Sequence, residues 1–333
     1  MRCPDVLVYT IRRLLVTIPL LIVSSFIVFV MEASTGNPLD AYVGHNPPYS
    51  AAFLHAEKIR LHLDQPMVER YVNWLIGILH GDWGPSVVDR HGVIREQLFQ
   101  RLGVTVRLIF VAMVLAVVLA IIVGVISAVK QYSFLDYTFT FTGFLFLSLP
   151  VFWFAILLKE GGIWLNTNVF GQRVFDTIGE ASIPPPHGFG SVLLDDFGHL
   201  VLPTIVLAMT SYAAWSRFQR GSMLEVLGSD YIRLARAKGL SRRRVMVRHA
   251  LRTALIPLTT VTALDIASIL GGAVITETIF QWHGMGEYLL SGIRNHDVYP
   301  VAGWLLVSAA FVILFNLLAD LLYAVLDPRI RYE

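Results

Sequence analysis

The sequence predicts an all-α integral membrane fold with six transmembrane helices, and three observations carry that prediction. Charged residues make up only 15% of the 333 residues and hydrophobic ones 55%, whereas soluble domains are about 25% charged. Mean hydropathy is +0.63, and the apolar residues are gathered in long blocks instead of recurring at the spacing of a soluble core. Six blocks, at residues 14–31, 108–129, 137–158, 200–216, 253–276 and 298–326, meet or approach the required length. A helix needs roughly 20 apolar residues to cross a hydrocarbon layer of about 30 Å. A single transmembrane domain over residues 1–333 is therefore expected. The one cysteine, Cys3, excludes an intramolecular disulfide framework and a cysteine-based metal cluster.

Taken in order, the first span follows Arg12 and Arg13 and resembles a signal peptide. Its apolar stretch exceeds the usual ~7–15 residues, and Glu32 follows where a small-residue cleavage site would stand, so it is expected to remain as an anchor. Residues 32–107 form a long loop expected to fold as an extracytoplasmic subdomain. Within it Val68, Tyr71, Leu75, Ile78 and Leu79 recur at helical spacing, which predicts an amphipathic helix resting on lipid or on neighbouring spans. Asp64, Gln65 and Pro66 would start it. Pro150 in the third span and Pro257 at the start of the fifth should kink or cap those helices. The second outer loop carries Pro184, Pro185 and Pro186 and then Gly188 and Gly190, which predicts irregular structure.

Orientation follows from charge. With the N-terminus inside, the inner segments hold 16 Lys and Arg and the much longer outer ones 10, as the positive-inside rule requires. Both termini are then cytoplasmic. The inner loop at residues 217–252 alone holds ten Lys or Arg against two acids, Glu225 and Asp230. From Ser222, the apolar positions Met223, Leu224, Val226, Leu227, Tyr231, Leu234 and Ala235 have helical potential; Gly239 breaks the run, and a second basic helix starts at Ser241. Such a hairpin suits a lever that carries a partner's displacement to the flanking spans. The alternative is a surface helix whose Arg242, Arg243 and Arg244 bind anionic headgroups.

Other chemistries lack their motifs. No G-x-x-x-x-G-K-[ST] phosphate loop occurs, nor H-E-x-x-H, nor G-x-S-x-G. His45, His55, His62, His80 and His91 are scattered without ligand spacing, so no metal site is expected, and nothing points to nucleic acid. The halves show no repeat that would support an inverted-repeat secondary transporter. Asn316 and Asp320 read as polar contacts between helices near the inner edge of the last span.

The stretches DYIRLARAKGL at 230–240 and RRVMVRHALRTALIP at 243–257 resemble the coupling loop of ABC importer permeases, specifically the B-type permease of oligopeptide, dipeptide and nickel importers. The resemblance covers almost the whole chain. It includes LDQP at 63–66, GDWG at 81–84, SLPVFW at 148–153, LGGAVITETIF at 270–280 and LLYAVLDPRIR at 321–331. Two departures stand out. Where the general motif has Glu-Ala-Ala before its glycine, this chain has Arg233, Leu234 and Ala235, and Pro257 follows Gly239 by eighteen residues rather than thirteen.

The resemblance implies the type I importer permease fold in a bacterial plasma membrane. It implies coupling to ATPases through Tyr231, Arg233, Ala235, Arg236, Ala237, Lys238 and Gly239. The implied partners are a second homologous permease, two cytoplasmic ATPase subunits or one two-domain ATPase, an extracytoplasmic substrate-binding protein, and the surrounding lipid. ATP and magnesium would be held by the ATPases, leaving this chain without a cofactor or catalytic residue. Oligopeptides or dipeptides lead as cargo, with nickel or glutathione-type solutes open, and an ion-coupled secondary transporter is the reading from another class.

Asp265 is an acid near the middle of an apolar span, and such a group is costly unless it meets water or a polar partner. It is expected to face the pathway, with Gly271 and Gly272 allowing close helix approach and Glu277 marking the outer exit. Its alternative is a protonated or hydrogen-bonded carboxyl. The family more often has glutamine there, and commonly proline where His283 stands.

Overall fold

The structure, a computed structural model, describes residues 3–42 and 49–326, with side chains described for 15–42 and 49–317. His45, the side chains of Cys3, Arg12, Arg13 and Asp320, and the DPRIR end of the last motif lie outside the described residues. Among the described residues every regular element is helical. The chain divides into two compact units, residues 1–105 with 283–313, and residues 106–282 with 314–331.

The first unit holds α1 (Cys3–Thr35), α2 (Ala51–Arg60), α3 (Met67–Leu79), the start of α4 (Ile94–Val129), and, after the second unit, α12 (Met285–Arg294) and the first part of α13 (Val298–Leu326). Helix α3 is the predicted amphipathic helix and begins after Pro66. Its buried face is Tyr71 and Trp74, which join Phe29, Ile94, Leu98 and Tyr299 in one core; Leu75 and Ile78 pack at its edge. Val68 and Leu79, expected on that face, stand 60% and 83% exposed. The helix presents a narrower stripe than spacing alone suggested. The Tyr71 hydroxyl lies 2.8 Å from Ser25 Oγ and donates to the Ile22 carbonyl at 2.8 Å, fastening α3 to α1.

Two buried acids hold the loops of this unit. Glu57 accepts from Arg60 Nε at 2.9 Å, from Tyr42 Oη at 3.3 Å and from Arg90. Burial pushes its carboxyl up, but the hydrogen bond and charge of Arg60 and the charge of Arg90 outweigh burial and hold it below the usual range. Asp297, 1% exposed, accepts through Oδ2 from Ser86 Oγ at 2.6 Å and from the amides of Val87 and Val88 at 2.7 and 3.3 Å. Burial outweighs these hydrogen bonds and the charge of Arg60, and pushes the carboxyl up to about 6.

The second unit is organised on α7 (Phe189–Gly228), which packs against α5 (Phe134–Ser148), α6 (Val151–Leu165), α10 (Arg252–Leu264) and α11 (Ile266–Phe280). At 40 residues α7 far exceeds the predicted span at 200–216. Nothing stops it early: Gly221 sits in open space and costs the helix only its propensity. Gly124 of α4 meets it where a Cβ would stand 2.7 Å from that of Gln219, so only glycine permits that crossing.

Among the described residues four helices are long and apolar enough to cross a membrane, and up to six spans result if each of two bent pairs is one span. The predicted third span divides into α5 and α6 with a bend of 106°. Pro150 explains the break: it disfavours helical geometry at Leu149, which adopts ψ 125°, and Pro150 then caps α6. The predicted fifth span divides into α10 and α11 with a bend of 53°. Here the break falls at Asp265, φ −81° and ψ −4°, while Pro257 lies inside α10.

Candidate functional site

The hairpin at residues 217–252 is built by sequence devices that can be followed residue by residue. Helix α7 ends at Gly228, Ser229 turns the chain with ψ 152°, and α8 (Asp230–Ala237) begins. At its far end Gly239 takes φ +76°. The Gly239 amide donates to the Arg236 carbonyl at 3.0 Å and the Leu240 amide to the Ala235 carbonyl at 3.4 Å. This pair of bonds is the Schellman motif, which requires a left-handed residue and so favours glycine. The predicted first helix is thereby divided at Ser229, and its Ser222–Gly228 part belongs to α7.

An eight-residue helix has too few internal bonds to stand alone, and α8 is held by docking. Ile232 is fully buried and Ala235 8% exposed, packed with Met223, Val226, Val245, Ala250 and Ala254. Ala235 therefore faces the rest of the chain and not the outward surface of the hairpin. Tyr231 and Leu234 stand 44% and 56% exposed, one turn apart, and Arg233, Arg236, Ala237, Lys238 and Gly239 are exposed around them. Arg233 and Asp230 pair at 3.5 Å in solvent, which contributes little. The outward face is an apolar centre with a basic rim.

The second arm is no separate short helix. Arg242–Arg244 forms α9, all three arginines exposed, and continues through a π-helical stretch, Val245–Leu251, into α10. The Ser222 hydroxyl donates to the Ala254 carbonyl at 3.1 Å, tying α7 to α10 behind the hairpin. Helix α8 is thus joined to α7 and α10 through packed side chains.

Sequence reasoning missed a buried ion pair beside this lever. Arg220 of α7 forks onto Asp136 of α5, Nε to Oδ1 at 2.8 Å and Nη2 to Oδ2 at 2.9 Å. Ser127 Oγ also donates to Asp136, and the Tyr132 amide donates at 2.9 Å. Asp136 is 2% exposed. The available signal was an aspartate at the edge of an apolar span, but its partner lies 84 residues away.

Of the residues expected to face a pathway, Asp265 and Gly272 share a cavity of about 290 Å³ with Thr210, Ser211 and Ser268. Trp215 Nε1 donates to Asp265 Oδ2 at 2.6 Å, so one carboxylate oxygen is held by the scaffold. Gly272 approaches Leu207 of α7, where a Cβ would lie 3.4 Å from its Cδ2. Gly271 points into open space and does not line the cavity. Glu277 is fully buried in α11.

The chain is similar to known proteins over most of its length. The family profile described as "Binding-protein-dependent transport system inner membrane component" matches residues 116–332. The oligopeptide transport system permease protein OppB of Mycobacterium tuberculosis is 40% identical over 323 residues, covering 97% of this chain and 98% of that protein. The dipeptide transport system permease protein DppB of Escherichia coli is 38% identical over 340 residues, covering 98% and 99%. In architecture, the inward-facing MetNI methionine ABC transporter has a chain of similar fold, TM-score 0.55 at 15% identity, covering 70% of this chain and 97% of that one.

Proposed function

The chain belongs to the family of binding-protein-dependent transport system inner membrane components and is the permease of an ABC importer; from that premise we propose that it forms half of a heterodimeric pathway carrying oligopeptides or dipeptides inward by alternating access. Likeness to the oligopeptide and dipeptide permeases over nearly the full length supports the cargo class. The chain sits in the bacterial plasma membrane with both termini in the cytoplasm, beside a second homologous permease. Two ATPase subunits, or one two-domain ATPase, bind ATP and magnesium on the inner side, and a substrate-binding protein delivers peptide from outside.

The observation that carries this reading is the docking of α8. Ile232 and Ala235 fix it to the permease while Tyr231 and Leu234 face outward within a ring of arginine and lysine. Closure of the ATPases on ATP displaces α8, and the packed cluster beneath it passes the displacement to α7 and α10. Both helices reach the Asp265 cavity, α7 through Thr210 and Ser211, α10 through the bend at Asp265. The carboxylate there attracts a free peptide amino terminus.

The test is reconstitution. Tagged chain purified from its native membrane should bring a second permease and ATPase, and proteoliposomes should import peptide only with ATP and binding protein present. Peptide uptake by the chain alone, driven by an ion gradient, would establish a secondary transporter instead. Uptake of nickel or glutathione without peptide would replace the cargo assignment.

A further inference from the structure

Outside the hairpin and the Asp265 cavity, three groups with metal-ligating atoms converge. Asp176 lies in the loop before α7, and Asp195 and His199 lie one turn apart on α7 itself; one ligand atom from each falls within 4.8 Å of the others. His199 is 1% exposed, and both aspartate side chains are 15% exposed. We propose that Asp176, Asp195 and His199 bind one divalent transition-metal ion, zinc foremost, which clasps the loop before α7 to the early turns of that helix.

The hydrogen bonds around the cluster orient it. His199 Nδ1 lies 2.9 Å from the Gly179 carbonyl, which can only accept, so Nδ1 carries a proton and Nε2 is the atom turned toward the carboxylates. A backbone carbonyl on the far ring nitrogen is the usual arrangement that orients a ligating histidine. Asp195 Oδ2 accepts from the Ser182 amide at 2.8 Å, and Asp176 Oδ1 pairs with Arg173. Asp195 Oδ1 lies 3.8 Å from Nε2, and one oxygen of Asp176 falls within 4.8 Å of the ligand atoms of the other two residues. Ser182 Oγ stands 3.4 Å from Nε2, at the long limit for a hydrogen bond.

The distance from Nε2 to Asp195 Oδ1 leaves room for an ion. It is 3.8 Å. A charge-assisted hydrogen bond would draw the atoms to about 2.8 Å, whereas two ligands of one tetrahedral zinc, with bonds near 2.0–2.2 Å, stand about 3.3 Å apart. The observed gap is too long for a direct hydrogen bond between the two atoms and lies about 0.5 Å beyond the zinc spacing, so the two ligands would draw slightly together on an ion. Two carboxylates and one imidazole are also a donor set that zinc accepts, where calcium or magnesium would take oxygens alone.

Gly198 supplies a second, independent feature. A Cβ at that position would stand 2.3 Å from Asp176 Oδ2. The absent side chain is what lets this carboxylate reach the helix beside His199. The loop is meanwhile held by other bonds: Asn166 Oδ1 accepts from the amides of Val174 and Phe175, and the Gly179 amide donates to the Phe280 carbonyl at 2.8 Å. The ligands are thus carried on ordered backbone.

The experiment uses the assembled transporter without nucleotide, stripped with chelator and dialysed against micromolar zinc, with bound metal counted by mass spectrometry. The wild type should hold one more zinc than His199→Ala, and Asp195→Asn should lose it as well. Gly198→Ala, which leaves every ligand in place but displaces Asp176, should weaken binding about tenfold, and His187→Ala, outside the cluster, should change nothing. Zinc should raise the melting temperature of the wild type and not of His199→Ala. A readout on unaltered protein guards against misfolded variants: cobalt(II) should give visible absorption of a low-coordinate nitrogen and oxygen site, bleached by zinc. Equal zinc in wild type and His199→Ala, or no zinc-sensitive cobalt spectrum, would overturn the proposal.

Discussion

Replacing Ile232 by alanine tests whether α8 transmits force through its docked face. Ile232 is fully buried between α8 and the cluster of Met223, Val226, Val245, Ala250 and Ala254. Truncating a buried isoleucine to alanine costs about 2–5 kcal/mol, and the lower half of that range suits a short surface helix whose neighbours can relax. Because α8 has eight residues, it has no stability of its own with which to absorb the loss. About 2–3 kcal/mol corresponds to a roughly 30- to 150-fold shift from docked to undocked hairpin. Two measurements read this out in proteoliposomes containing the complete transporter: amide exchange across residues 230–240, and peptide imported per ATP hydrolysed. Ile232→Ala should speed the exchange and lower the import ratio together. Leu234→Ala, on the exposed face, should lower the import ratio with exchange unchanged. Normal coupling in Ile232→Ala despite accelerated exchange would refute the claim that docking carries the stroke.

Further outcomes follow from other contacts. Gly239→Pro removes the amide bonded to Arg236 and forbids φ +76°, so it should uncouple ATP hydrolysis from uptake, while Gly239→Asn, which tolerates left-handed geometry, should retain most coupling. A bulky residue at the exposed Ala237 should uncouple by obstructing the ATPase face, with thermal stability unchanged. Asp136→Asn strands Arg220 and should cost about 3 kcal/mol, read as a lower melting temperature in detergent, and pairing it with Arg220→Met should recover part of the loss. Asp297 titrates near 6 when folded and near the ordinary 3.8 when unfolded, so between those values the folded protein binds the extra proton and stability rises as pH falls. The total is on the order of 3 kcal/mol. Melting temperature should therefore climb from pH 7 to about 4.5, below which protonation of Glu57 opposes it, and Asp297→Asn should flatten the slope. Asp265→Asn should slow import of peptides with a free amino terminus and spare acetylated ones; identical rates for both would remove that residue from substrate recognition.

The apolar blocks were legible because bilayer thickness imposes a length on every span, and all six fall on helices. The bends were legible unequally. Pro150 announces its break because proline constrains the residue before it, but the 106° angle depends on what α5 and α6 pack against. At the other bend, Pro257 suggested the wrong position, since the chain turns at Asp265, where the Trp215 indole holds the side chain across 50 residues of sequence. The hairpin corner at Gly239 was readable from a local rule, the glycine of a helix end. Which residues of α8 face inward was not: Ala235 looks like surface in the motif and is packed in the structure. The Arg220 fork onto Asp136 and the convergence of Asp176 with Asp195 and His199 depend on chain crossings that no spacing encodes.

The most direct measurement places a single reactive thiol on the outward face of α8. In a Cys3→Ser background, Leu234→Cys should cross-link to an ATPase subunit in inside-out vesicles, with a yield that changes when ATP is added. It should resist a membrane-impermeant thiol reagent applied to intact cells. Labelling of Leu234→Cys from outside the cell, or a cross-link to no ATPase in the working transporter, would contradict the account.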